Sequence, residues 1–433
     1  MLAIPRLPPS SFRWISSAVL GVAVLAASLA AASPSAAQEL RPIVGMDGRL
    51  FPSHLIATAA LKPAKDDPPA EVARLGDPYG VLGVSVVAPA DRTSIRVTIA
   101  ESEFLEASEH AGVLPQAGRR YRVYPYVKYK HAALAAVRQA VSTDVKFTVS
   151  IGQTRREISA KATVRSVNEC PHYWYHRAED DTGRDLAYVF AVYVNEDHPA
   201  IDDLLQEALD TKVVSTFDGY RSGKPLQVHL QVFAIWHALQ QRGMKYRDVR
   251  PPADVSELVS VQPVRFVEDS LRHNHANCVD GTVLLASALR KIGVRAALVF
   301  VPEHCYLAYY AGDEAKRPFG LETTFVGDLN LAYKPMLTGF GEAIDPAVKR
   351  APSYASFQAA LESGTTDLTR DAKKFESDDD YVIVDVNAAR ERGVRPLWAA
   401  PKKKREALKP TPQPTPGANE RPGLVAPTAT PTR

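Results

Sequence analysis

The stretch NCVDGTVLLASALRKIGVRAALVFVPEHCYLAYY, residues 277–310, decides how this chain folds. Asn277 is a good helix cap, Asp280 falls at the third helical position, and Gly293 closes the far end. Between them Val279, Val283, Leu284, Ala286, Leu289 and Ile292 leave little polar surface, so the spacing predicts a buried helix that starts at Cys278. The apolar run 294–301 then reads as a strand and 305–311 as a second. After the turn Gly312-Asp313, Phe319 to Phe325 reads as a third. A buried helix leading into an antiparallel meander is an α+β arrangement.

Outward from this segment the patterns stay legible. Within Lys224 to Arg242, Val228, Val232, Ile235 and Leu239 form one helical stripe beside Phe233 and Trp236, with Gly243 as the stop. Such a stripe is core packing, and His229 and His237 are expected as polar-face or satisfied histidines. A shorter helix is expected from Ile201 to Thr211 and a strand from Leu186 to Val194. From about 78 to 168 the period is two. Val145, Phe147, Val149 and Ile151 share one face, and Ile158, Ala160, Ala162 and Val164 answer them after the turn at Gly152. Residues 93–100 and 120–129 read as further strands, with a short helix from Ala132 to Val141. Together they predict a β-rich domain, a sandwich being one form it could take. Beyond 345 the pattern gives helical pieces, the strand 381–386 and a short helix NAARERG.

The 433 residues are too many for one simple core, and a formal charge of +3 leaves no nucleic-acid footprint. At the N-terminus, Arg6 and Arg13 precede the apolar, alanine-rich stretch 14–32. Ser35-Ala36-Ala37 then offers small residues for signal-peptidase cleavage before Gln38. The expected order is a signal peptide at 1–37, a linker at 38–77, the β-rich domain at 78–195, an α+β domain at 196–398 and a disordered proline-rich tail at 399–433. That order predicts a periplasmic or secreted protein, with membrane contact only through an uncleaved N-terminal segment. Three cysteines do not make a disulfide framework. They allow one bridge, Cys170 to Cys305, or three free thiols.

Cys278, as the first residue of a capped helix, meets the positive end of the helix dipole and unpaired backbone N–H groups, which favour a thiolate. His304 opens the strand directly after the one leaving this helix, so a short path returns it to the helix start. Glu322, in GLETTF on the neighbouring strand, could hold the imidazole. A helix start and two adjacent strands thus supply a nucleophile, a base and an orienting acid in that order. A zinc site is the competing reading, because His273, His275, Cys278, His304 and Cys305 offer nitrogen and sulfur ligands. The spacing H-x-H-x-x-C matches no strong zinc pattern, and adjacent strand residues point to opposite faces. No metal or cofactor is expected, and His273 and His275 read as residues of the loop or the mouth of a cleft.

The pieces VFAIWHALQQRGMKYRDV, NCVDGTVLLASALRKIGVRAALVFVPEHCYLAYY and LETTF resemble the core of the transglutaminase-like superfamily, a papain-like group of transglutaminases, peptidases and amidases. DVNAARERGVRPL (385–397) resembles a segment that follows this core in some bacterial members. The resemblance covers roughly 220–398. It implies a papain-like core with Cys278 as nucleophile, His304 as general base and Glu322 as orienting acid. Asn277 stands where members usually carry glycine, and Glu322 where aspartate is commoner. The implied activity is attack on an amide bond of a peptide or protein, cell-wall peptides being within reach of an exported enzyme. Water is the default acceptor and an amine the less expected one. The alternative is an inactive core kept as a peptide- or protein-binding module of the cell envelope.

Overall fold

The computed structural model describes residues 40–62, 73–175, 184–248, 256–329 and 331–397. The expected signal peptide 1–37 and the expected disordered tail 399–433 lie outside the described residues. The architecture is mixed α+β, with helices and several separate sheets.

The period-two region builds two sheets. Strands Val141–Ile151 and Thr154–Val164 form the expected hairpin, in a register that sets Val145 opposite Ala160 and Phe147 opposite Ile158. Gly152 makes the turn at a φ of 56°, which a glycine adopts without a steric penalty. Thr93–Ile99 and Ser108–Leu114 extend this sheet on one side and Arg49–Leu50 on the other. The second sheet runs in the order Arg41–Val44, Leu82–Val87, Arg120–Tyr124, Arg74–Gly76. Alternation along the strands buries Ile95, Val97, Val145, Phe147 and Val149 from the first sheet, and Val84, Val86 and Val123 from the second, in one continuous core.

Two expectations fail here. The segment 38–77 is not simply a linker, because strand 41–44, helix Pro52–Thr58 and strand 74–76 are built into the fold. Met46, Leu50, Phe51, Leu55 and Ala57 are buried, and Ser53 Oγ donates to the Glu169 carbonyl at 2.7 Å. The most proline-rich part of that segment, 63–72, lies outside the described residues, and its composition masked the apolar residues before it. The second failure is the strand expected at 186–194. Residues Ala187–Tyr193 form a 3₁₀ helix instead. An apolar run buried all round has no face to betray its period. Three carbonyls of the run are satisfied by partners distant in sequence: Arg390 donates to the Ala191 and Val194 carbonyls at 3.0 and 2.6 Å, and Leu397 N–H to Val192 at 2.7 Å. Arg390 is held in turn by Glu196 at 3.1 Å.

The opening segment folds as its pattern predicts. Helix Cys278–Lys291 leads into strands Ala296–Val301, His304–Tyr309 and Phe319–Leu321. Val382–Asp385 joins on the far side, giving an antiparallel sheet in the order 319–321, 304–309, 296–301, 382–385. The helix packs on one face, against Leu298, Leu307 and Tyr309. Ala297, Val299, Tyr306 and Ala308 pack on the opposite face with Leu368 of helix Pro352–Arg370. Burial on both faces explains why these strands read as unbroken apolar runs. The third strand is shorter than expected, because Thr323–Phe325 turns as a 3₁₀ helix capped by Glu322. Behind the cysteine helix lies helix Pro225–Gln241, with Phe233 and Trp236 fully buried. His229 and His237 are satisfied core histidines, paired with the Tyr309 hydroxyl at 2.8 Å and Ser353 Oγ at 2.6 Å. Among the described residues no helix is long and apolar enough to cross a membrane.

Candidate active site

Asn277 is a working cap. Its side-chain oxygen accepts from Asp280 N–H at 2.8 Å, while Asp280 accepts from Asn277 N–H at 3.3 Å, a reciprocal capping box. The other Asp280 oxygen accepts from Arg265 N–H at 2.8 Å. Burial pushes the Asp280 carboxyl up, and these hydrogen bonds oppose the rise. Asp280 is therefore committed to the loop that precedes the helix. Cys278 is the first helical residue, 5% exposed. The Gly281 N–H takes the first intrahelical bond, to the Asn277 carbonyl at 2.9 Å. The N–H groups of Cys278 and Val279 are thus the two helix-start donors that neither the cap nor the helix uses. The Cys278 carbonyl is fixed by the Thr282 and Thr323 hydroxyls at 2.8 and 3.3 Å.

His304 begins its strand and reaches back to the helix start. Its Nε2 bonds Glu322 Oε2 at 2.6 Å. The nitrogen left for the Cys278 sulfur is Nδ1. Hydrogen bonds with Cys278 and with Glu322 raise the imidazole from its ordinary value to about 10, against the pull of burial. Glu322 is 4% exposed, and its second oxygen accepts from the Thr324 N–H and hydroxyl at 3.0 and 2.6 Å. Burial pushes this carboxyl up. Its bonds to His304 and Thr324 outweigh that and leave it below the usual carboxylate range. The three residues picked from the sequence are therefore brought together as sulfur, imidazole and carboxylate, with the imidazole between the other two and favoured as a cation at neutral pH.

The remaining candidates fall away from this centre. His273 ends the helix Val267–His273 and His275 opens the two-residue strand His275–Ala276, the His275 ring against the His273 carbonyl at 3.1 Å, and neither lines a cleft at the site. Cys170, Cys278 and Cys305 are all free and buried, so the open possibility of a Cys170–Cys305 bridge is not realised. Burial pushes the Cys305 thiol far up, as expected of an inert core thiol. Among the described residues no three His, Cys, Asp or Glu side chains converge to hold a metal ion.

Cys278 and His304 lie on the wall of a cleft of about 600 Å³, and a second of about 410 Å³ opens on the other side of His304 beside Lys245, Tyr246 and Thr324. The opposite wall of the first cleft comes from a small sheet of strands Glu169–Trp174, Arg184–Asp185 and Val259–Pro263. No residue of this sheet carries a pattern that would place it at the site. The only local signal was the run of polar and aromatic residues HYWY at 172–175, which carries no period.

The raised value at His304 fixes the sign of a pH effect. A histidine whose folded-state value lies above the unfolded one stabilises the fold fully below about pH 6.5. That contribution then fades as pH rises through the folded value of about 10. Glu322 stays ionised across this window. The gap in urea midpoint between the native chain and His304→Ala is expected to be wide at pH 6 and to narrow steadily towards pH 10. A gap that stays constant over that range contradicts the ion-paired geometry. The chain matches no protein-family model and no curated protein with which it was compared.

Proposed function

We propose that this chain is an exported thiol enzyme of transglutaminase-like, papain-like type that cleaves amide bonds in peptides or proteins, cell-wall peptides included. The observation that carries the reading is the single alignment of Cys278, His304 and Glu322, in which one imidazole bridges a helix-start sulfur and a buried carboxylate. Support also comes from the cleft that brings open space to the sulfur.

The chemistry follows from these positions. The Cys278 sulfur, as thiolate, attacks the amide carbonyl, and the C=O electron pair moves onto oxygen. The Cys278 and Val279 N–H groups are placed to receive that oxyanion. His304, as imidazolium, gives its proton to the leaving nitrogen as the C–N bond breaks, which leaves a thioester and a neutral imidazole. Water then attacks the thioester while His304 takes its proton, and the acid departs as the thiolate–imidazolium pair reforms. Glu322 keeps the ring oriented and supports its positive form. An amine in place of water gives transfer by the same steps.

The test is release of amine and uptake of ¹⁸O from labelled water, using a mixture of synthetic peptides and C-terminal peptide amides. Native protein should release amine and place ¹⁸O in the new carboxylates, and Cys278→Ala should do neither. Loss of ¹⁸O uptake to covalent incorporation when glycine ethyl ester is added would assign transfer. Equal, background release from both proteins overturns the enzymatic reading and favours the peptide-binding module.

A further inference from the structure

The wall of the cleft facing Cys278 has a chemical character that the catalytic groups do not require. Asp185 lies opposite Tyr173 in the strand pairing, and the Tyr173 and Tyr175 rings sit 4.5 Å apart at the same wall. Glu303, Asp379 and Asp380 complete the acidic lining, and among the described residues no lysine or arginine lines this cleft. Among the same residues none of these four carboxylates forms a salt bridge. Burial pushes the Asp185 carboxyl up and the nearby Asp379 charge adds to the rise, as unneutralised carboxylates sharing one space should do.

His172 adds an independent sign. It is the extra residue of a bulge, since the register steps from Pro171–Val261 to Tyr173–Ser260. Such bulges re-aim a side chain. The residue lines the cleft, while its Nδ1, closed off from solvent, has no hydrogen-bond partner among the described residues. Burial holds the imidazole well below its ordinary value, with the Cys170 carbonyl opposing. His172 is therefore uncharged at pH 7 and sets no positive charge beside the four carboxylates. Carboxylates and aromatic faces around one space are the partners of an ammonium or guanidinium group.

We propose that this wall is a subsite for a cationic group, so that the preferred substrate carries a lysine-like side chain or a free amine beside the amide that Cys278 attacks. The inference rests on the thiol chemistry above for its placement, but it can be measured apart from it. The probes are two methanethiosulfonates of similar size, the cationic aminoethyl and the anionic sulfonatoethyl reagent, with neutral iodoacetamide as the third. The quantity read is the cation-to-anion rate ratio at Cys278 by peptide mass spectrometry, divided by the same ratio for free cysteine.

The expected normalised ratio is about tenfold at low ionic strength, in the lower range of electrostatic focusing, and it should shrink on adding salt. In the variant Asp185→Asn, Glu303→Gln, Asp379→Asn, Asp380→Asn it should fall to about one, with the iodoacetamide rate unchanged. The amide oxygen introduced by Asp185→Asn can still accept the Ala187 N–H that Asp185 holds at 2.7 Å. Should the fourfold variant fold poorly, Glu303→Gly alone serves. Glu303 has a φ of 63°, a value glycine adopts freely, so that change removes charge and backbone strain together. A native ratio near one, or a ratio that survives neutralisation, overturns the subsite. A strong ratio at a sulfur that iodoacetamide labels sluggishly and independently of His304 would sink the thiol chemistry while keeping the acidic cleft.

Discussion

Replacing His304 by alanine should slow alkylation of Cys278 by iodoacetamide about 30-fold at pH 6, and the two rates should cross near about pH 7.5, the variant becoming the faster by up to about tenfold above pH 9. The magnitude follows from populations. An unassisted thiol is only about 0.3% thiolate at pH 6, so the proposed ion pair, if it holds the sulfur as thiolate, would raise the reactive fraction by up to about 300-fold. The lower intrinsic nucleophilicity of a stabilised thiolate takes back about a factor of ten. His304 supplies the cation because its imidazole is raised to about 10 by Cys278 and Glu322 together. Glu322→Gln should fall between the two proteins, since the amide can still meet Nε2 but brings no charge to hold the proton. The check is the pH profile of the second-order rate, followed on the peptide that carries Cys278. Buried Cys170 and Cys305 should label only after denaturation. Superimposable profiles for the native chain and His304→Ala would rule out the pairing.

Gly364→Ala should be among the most disruptive single methyl additions in the molecule. Strand Phe319–Leu321 lies directly on helix Pro352–Arg370, and one glycine on each, Gly320 and Gly364, makes that approach possible. A Cβ on Gly364 would lie 2.6 Å from the Gly320 carbonyl carbon and the Leu321 nitrogen, and 3.0 Å from the Glu322 nitrogen. One on Gly320 would lie 2.1 Å from the Gly364 oxygen. These neighbours are backbone and cannot rotate away, so strand and helix must separate. The Glu322 N–H to Ala360 carbonyl bond of 2.9 Å and the Gly320 N–H to Thr365 Oγ1 bond of 3.2 Å are then strained. Overpacking of this kind costs about 3 kcal/mol, or about 6–12 °C in melting temperature for a domain of this size. Glu322 moves with the strand, so the folded fraction should also lose its fast Cys278 labelling. Ser363→Ala, one position back on the same helix, should leave both unchanged. A Gly364→Ala protein that melts and labels like the native one contradicts the close packing.

How much of this was legible depended on where the signal was local. The cysteine helix announced itself through Asn277, Asp280 and Gly293, because caps are made by residues within one turn of the helix end. The hairpin 141–164 was readable because one face is buried and one is wet. The order cysteine, histidine, carboxylate was visible because consecutive elements pack side by side. The run at 186–194 was misread as a strand because its backbone partners, Arg390 and Leu397, lie some two hundred residues away. The segment at 38–77 was misread because proline content outweighed five buried apolar residues. The far wall of the cleft was invisible for a third reason. Tyr173, Asp185, Glu303 and Asp379 meet only in the folded chain, and none carries a motif.

The claim at the centre is that Cys278 is a nucleophile that forms an acyl intermediate, and its most direct measurement is acylation by p-nitrophenyl acetate. Rapid mixing near pH 7 should give a burst of about one nitrophenolate per chain, with the acetyl group recovered on the peptide containing Cys278. The burst should be slowed in His304→Ala and absent from Cys278→Ala. No burst from the native protein, or an acetyl group found on any other residue, would contradict the account.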